Sequence, residues 1–224
     1  MNELIFLLHV CIVIIFLLFA LKLGKNYLLA LAVLQGILAN IFVIKQITLF
    51  TKTVTTVDVF IIGTVFAQNL IQEYFGKENA LKTIKISFFS MIFFLVMSKI
   101  HMLYTPSRVD FSNEAFKIIF SSSTRIFLSS IFVFFICLKL DVYIFGFLQK
   151  LFNEKKLSLR IFISSLITQF IDTVLFAFLA LYMLVDKILD VMVFSFLIKM
   201  FVVAVSSFFI NFSKKIIKAK NVQV

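Results

Sequence analysis

Apolar residues run in seven long blocks separated by short polar stretches: 4–21, 27–44, 57–75, 83–104, 121–144, 161–184 and 189–212. Each approaches the roughly 20 residues that a helix needs to cross the hydrocarbon core of a bilayer. The pattern predicts an all-α polytopic bundle of about seven spans, folded as one integral membrane domain over 1–224 with no separate soluble domain. The first block is read as a span rather than a cleaved leader. Its leading segment is acidic (Glu3), its apolar run is long, and no small-residue cleavage site follows.

The polar stretches set the expected orientation. With the N-terminus outside, thirteen basic residues fall on the inner side: Lys22, Lys25, Lys77, Lys82, Lys85, Lys150, Lys155, Lys156, Arg160, Lys214, Lys215, Lys218 and Lys220. Six fall outside: Lys45, Lys52, Lys99, Arg108, Lys117 and Lys187. Basic residues are retained in cytoplasmic loops, so the bias predicts an outside N-terminus and a cytoplasmic C-terminus. The tail 213–224 then meets anionic lipid headgroups. Segment 45–60 is Thr-rich and β-branched between Lys45, Lys52 and Asp58, and reads as an outer loop, a short hairpin or a re-entrant piece. Segment 105–117 is a polar loop entering a helix capped by Ser112 or Asn113.

Polar residues inside the blocks carry the functional signal. On the sixth block Ser165, Gln169, Asp172, Thr173 and Phe176 share one helical face. A charge at the bilayer centre costs about 2.5–3.5 kcal/mol on insertion scales, so Asp172 points to a functional site that faces other helices or a cavity. Gln169 and Thr173 serve equally well as hydrogen-bonding glue between helices. Asp172 lies 12 residues beyond Arg160, roughly 18 Å of helix, and Lys199 lies 15 residues before Lys214, roughly 22 Å. The two therefore reach a similar depth and are expected to be close. Arg125 and Asp141, roughly 24 Å apart on the fifth block, are placed at its outer and inner ends, where Arg125 closes a cavity from outside and Asp141 caps it from inside. On the third block Gln68, Asn69, Gln72 and Glu73 form a second polar face that ends at Gly76. Glu73 also suits a plain interfacial position.

Composition narrows the class. Hydrophobic residues make up 62% of the chain, against about 45–50% in soluble domains. The formal charge of +11 sits at block ends and not on a contiguous basic face, which argues against nucleic-acid binding. Cys11 and Cys137 fall inside apolar runs and read as core residues. The five glycines form no phosphate loop, and His9 and His101 lack ligand spacing. No enzyme, cofactor or metal site is expected. Tyr27, Tyr74, Tyr104, Tyr143 and Tyr182 lie near block ends, where aromatic anchors belong.

Four segments resemble the queuosine precursor transporter family, also described as vitamin-uptake-like. They are Phe66-Ala67-Gln68-Asn69-Leu70-Ile71-Gln72-Glu73-Tyr74-Phe75-Gly76-Lys77, Thr124-Arg125-Ile126 followed by Leu140-Asp141-Val142-Tyr143-Ile144-Phe145, Ser165 through Phe176, and Lys199 in the last block. The resemblance covers about 27–212 in one order, so 4–21 looks like an addition to a six-helix core. Asn69 stands where the family carries an aspartate, and a proline common in the last helix is absent near Ser206 and Ser207.

The resemblance implies import, across the inner membrane, of a 7-deazaguanine: the aminomethyl or cyano base, or queuine. A guanine-like edge offers an N–H and an exocyclic amine that one carboxylate accepts together. Asp172 or Glu73 suits that role, Gln169 or Asn69 suits the ring carbonyl, and Phe66, Phe170 or Phe176 suits stacking on the base. Arg125, Lys199 and Thr173 complete the candidate site, with Asp141 as a gating or structural charge. Proton coupling and a homo-oligomer are compatible with this reading. The alternative is a membrane subunit that captures substrate for a multi-subunit ATP-driven importer.

Overall fold

The computed structural model describes residues 1–120, 124–183 and 188–221. Ser121–Ser123, which open the fifth predicted block, and Lys187 lie outside the described residues. The elements in order are α1 (Asn2–Leu23), α2 (Lys25–Phe42), β1 (Gln46–Leu49), β2 (Lys52–Thr55), α3 (Asp58–Phe75), α4 (Lys77–His101), α5 (Asn113–Phe120), α6 (Thr124–Leu151), α7 (Leu157–Phe176), a π-helical turn (Ala177–Leu181), α8 (Ile188–Phe209) and α9 (Phe212–Asn221). This is a polytopic helical membrane protein.

Six stretches among the described residues are long and apolar enough to cross a membrane: Asn2–Leu23, Lys25–Phe42, Lys77–His101, Arg125–Leu151, Leu157–Leu181 and Val191–Ile217. The third block, α3, is not among them. Its polar residues lower its hydropathy, and the fold accommodates this by enclosing it. Thirteen of its 18 residues are buried, and it packs against α2, α4, α6, α7, α8 and α1. A helix sheathed by protein does not need an apolar surface. By contrast, Leu4, Leu8, Ile15, Phe16 and Phe19 of α1 face outward, as lipid contact favours.

Segment 45–60 resolves into a hairpin. β1 and β2 pair antiparallel from Gln46–Thr55 to Leu49–Lys52. The two turn residues, Phe50 and Thr51, both have positive φ (46° and 66°), the two-residue geometry that matches strand twist. Leu49 is buried against the bundle. Glu3 accepts the Phe50 N–H at 3.3 Å, and Asn2 donates to the Thr48 carbonyl at 2.8 Å, so the start of α1 holds the hairpin tip.

Helices α3 and α4 join through one residue, Gly76, whose φ of 89° favours glycine. In the loop before α5, Asp110 Oδ1 accepts from both the N–H and the hydroxyl of Ser112, at 2.8 and 2.7 Å. These bonds hold the Asp110 carboxyl below its ordinary range. The C-termini of α2, α4 and α7 and the N-termini of α3, α6 and α8 share the hairpin end of the bundle. The other ends carry Gly24, Gly76, the turn 152–156 and α9.

Candidate functional site

Helix α7 repeats a small or polar residue every four positions on its buried side: Arg160, Ser164, Thr168 and Asp172. Ser165, Gln169 and Thr173 lie beside them. Asp172 emerges near the hairpin end. There Lys199 of α8 donates to Asp172 Oδ2, and Asp58 Oδ1 at the start of α3 lies 3.8 Å from the same ammonium. All three residues are buried. Three helices thus bring two carboxylates onto one lysine, and the meeting of Asp172 and Lys199 agrees with the depth count.

This cluster forms one wall of a cavity of about 720 Å³. Such a volume falls within the range of small-molecule pockets. Asn40 of α2, Gln46 of β1, Ser130 of α6 and Thr173 add hydrogen-bonding groups. Met91, Phe134, Phe176 and Phe194 add apolar walls. The hairpin contributes Lys52, Val54 and Thr55 to the mouth, and the π-helical stretch contributes Ala177 and Leu181. Local π geometry recurs at functional sites because it re-aims side chains that a regular helix would stack.

Toward the opposite end the interior is polar but filled. Gln68 and Gln72 donate to the Leu138 and Val142 carbonyls of α6, at 2.7 and 2.9 Å. Asp141 is fully buried, and its Oδ1 accepts from Thr168 at 3.3 Å. Beyond it, Arg160 closes the bundle. Its two terminal nitrogens each lie 2.8 Å from a Glu73 oxygen, a bidentate pair. Arg160 also donates to the Lys155 and Glu154 carbonyls at 2.9 and 3.1 Å, and its guanidinium lies 5.1 Å from the Phe145 ring centre. The turn it ties down holds Asn153, Glu154 and Lys156 at positive φ.

Residues 57–212 match the family described as "Putative vitamin uptake transporter". The chain belongs to this family. Over 208 residues it is 30% identical to the "Probable queuosine precursor transporter" of Bacillus subtilis (strain 168), a match that spans 91% of this chain and 90% of the relative. No solved structure matches the chain. Both descriptions name a transporter.

The expected site residues divide by position. Asp172, Lys199, Thr173 and Phe176 line the cavity. Asn69 and Gln169 lie deeper, buried beneath it, with side-chain atoms that make no hydrogen bond. Glu73 is committed to Arg160 at the far end, where α3 reaches the turn 152–156. Arg125 is exposed at the hairpin end and donates to the Leu179 carbonyl at 2.8 Å, tying α6 to the π-helical turn instead of walling the cavity. Asp141 lies inside the bundle and not at its inner rim. Of the three phenylalanines suited to stacking, Phe66 is core and Phe170 is 55% exposed and set against Phe196, which leaves Phe176 at the cavity.

The sequence pattern does not single out Asn40, Gln46 and Ser130 of the cavity, nor two charged residues, Asp58 and Arg160. Asp58 looked like a loop-edge charge because it follows a Thr-rich run. Arg160 was counted as a cytoplasmic cation, yet it is fully buried. Its signal was present: it continues the four-residue spacing of Ser164, Thr168 and Asp172 by one more turn.

Proposed function

We propose that this protein imports a queuosine precursor, a 7-deazaguanine base, across the inner (plasma) membrane for tRNA modification. The observation that carries the reading is the Asp172 carboxylate on the wall of a cavity of about 720 Å³, ample for a base, in a chain 30% identical to a probable queuosine precursor transporter. In this reading the guanine-like edge donates its N–H and exocyclic amine to Asp172. Lys199 holds that carboxylate in place, and Asp58 shares the lysine. Asn40, Gln46 or Thr173 addresses the ring carbonyl. Phe176 stacks on the base, a contact worth about 1–3 kcal/mol for nucleobases on aromatic side chains elsewhere. Asn69 and Gln169 form the next polar station on the path inward, below the cavity. The hairpin end faces outside, and the Glu73–Arg160 pair closes the cytoplasmic side while substrate binds.

The test is complementation. The chain is expressed in a bacterium that lacks both its own precursor transporter and precursor synthesis, and each 7-deazaguanine is supplied in turn at low concentration. Queuosine in tRNA is then assayed. Restoration by one precursor, lost in Asp172→Asn, is the expected result. No restoration by any precursor, with membrane insertion confirmed, refutes the reading.

A further inference from the structure

The cavity cluster accounts for Asp58, Asp172 and Lys199, and the far-end pair accounts for Glu73 and Arg160. Asp141 remains. It is fully buried, and among the described residues no Lys, Arg or His forms an ion pair with it. Its Oδ1 accepts one hydrogen bond, from Thr168 at 3.3 Å, and its Oδ2 accepts none from the protein. The Thr168 hydroxyl is itself shared with the Ser164 and Ser165 carbonyls at 3.0 and 3.2 Å. The Ser164 hydroxyl of α7 and the Asn69 amide of α3, both fully buried, also face the carboxylate, but neither closes a hydrogen bond to it, and Ser164 donates instead to the Ile161 carbonyl at 3.2 Å. A charged carboxylate with so little compensation is costly in a low-dielectric interior, and the relief open to it is to take up a proton.

The surroundings support that assignment. On α6 itself, Cys137 lies one turn toward the cavity, and Lys139 and Tyr143 are exposed on the outer side. On α7, Asp172 is held by Lys199, and Arg160 by Glu73 of α3. On α4, Lys82 and Lys85 are exposed. The charged groups on the helices packed around Asp141 are therefore paired elsewhere or turned outward. Asp141 also lies between the cavity cluster and the Glu73–Arg160 closure, the stretch that substrate must cross.

We propose that Asp141 is a proton-binding site, distinct from the substrate site, and that its protonation is coupled to transport. The coupling part rests on the transport reading given above. The carboxylate takes a proton from water on the cavity side, forming the neutral acid, whose O–H donates toward Asn69. It returns the proton to water on the cytoplasmic side when the far-end closure opens. No other bond changes. Neutral Asp141 removes the buried charge beside the path while substrate passes.

Two measurements on the purified full chain in proteoliposomes test this. The first is pH-difference infrared spectroscopy without substrate. A carbonyl stretch of a buried carboxylic acid, lost in Asp141→Asn and retained in Asp172→Asn, is expected. A spectrum in which Asp141→Asn changes no acid band overturns the proposal, and Asp141→Glu, which restores a shifted band, guards against misfolding as the cause of a loss. The second is uptake of a labelled 7-deazaguanine with and without an inward proton gradient. Stimulation by the gradient is expected in the parent chain and in Asp141→Glu, and is abolished in Asp141→Asn. Uptake that ignores the gradient in the parent chain overturns the coupling. An Asp141 band with no uptake of any 7-deazaguanine overturns the transport reading and leaves the proton site standing.

Discussion

At the scale of single residues, the cavity cluster is an unequal contest of charge. Lys199 serves two carboxylates, at Asp172 and Asp58, so the three side chains are not equally replaceable. Removing the cation leaves two buried carboxylates facing each other, and breaking a buried pair in this way costs about 3–5 kcal/mol. Removing Asp172 leaves Lys199 still 3.8 Å from Asp58, so the charge stays compensated. The expected order in a detergent thermal-unfolding assay is therefore a large fall in Tm for Lys199→Met and a small one for Asp172→Asn. The double variant recovers part of the Lys199→Met loss, because one of the two uncompensated carboxylates is gone. Equal losses for the two single variants would show that Asp58 gives Lys199 no support. Under the proposed function, transport is expected to behave differently: Asp172→Asn folds but loses uptake, since the group proposed to meet the substrate is the one removed.

At the scale of elements, close helix packing places polar groups where sequence pattern alone cannot. Helices α1, α2 and α3 pack at Gly63, where a Cβ would lie 1.8 Å from Gln35 Oε1 and 2.8 Å from Val13 Cγ1. The glutamine end can swing, but the β-branched valine cannot. Gly63→Ala is expected to cost about 1–3 kcal/mol through overpacking, read as a lower Tm, and Gly63→Ala with Val13→Ala is expected to recover part of it. The same packing explains what was and was not legible in the sequence. The blocks, the polar face of α7 and the Asp172–Lys199 depth match followed from a 3.6-residue period and a 1.5 Å rise. Asp58 and Arg160 were not placed, because their chain positions look interfacial and only the tertiary fold buries them. Segment 45–60 stayed open among three readings because a two-residue turn of Phe50 and Thr51 carries no Asn-Gly or Asp-Gly signature.

At the scale of the molecule, orientation decides whether the cavity is an entrance or an exit. The hairpin and the loop 102–112 lie at one end, and the turn 152–156 and α9 at the other. Because Arg160 is buried rather than in a loop, the inner side keeps twelve of its thirteen expected cations against six outside, and the bias still predicts that the cavity mouth faces outward. This can be checked by labelling. With Cys11 and Cys137 replaced by serine, Ser107→Cys in the loop before α5 is expected to react with a membrane-impermeant maleimide in intact cells. Asn153→Cys, exposed in the turn before α7, is expected to react only after permeabilisation. The reverse pattern would open the Asp172 cavity to the cytoplasm and place the Glu73–Arg160 pair outside. The same residues would then describe an exporter, or an importer caught facing inward with its outer gate shut. The two cases part on the direction of net substrate movement in oriented vesicles. With the expected pattern, a polar α3 enclosed by apolar helices leads from an outward cavity, past Asn69 and Asp141, to a closed ion pair at the cytoplasmic face. On the proposed function, that arrangement would admit substrate from outside and hold it until Glu73 and Arg160 separate.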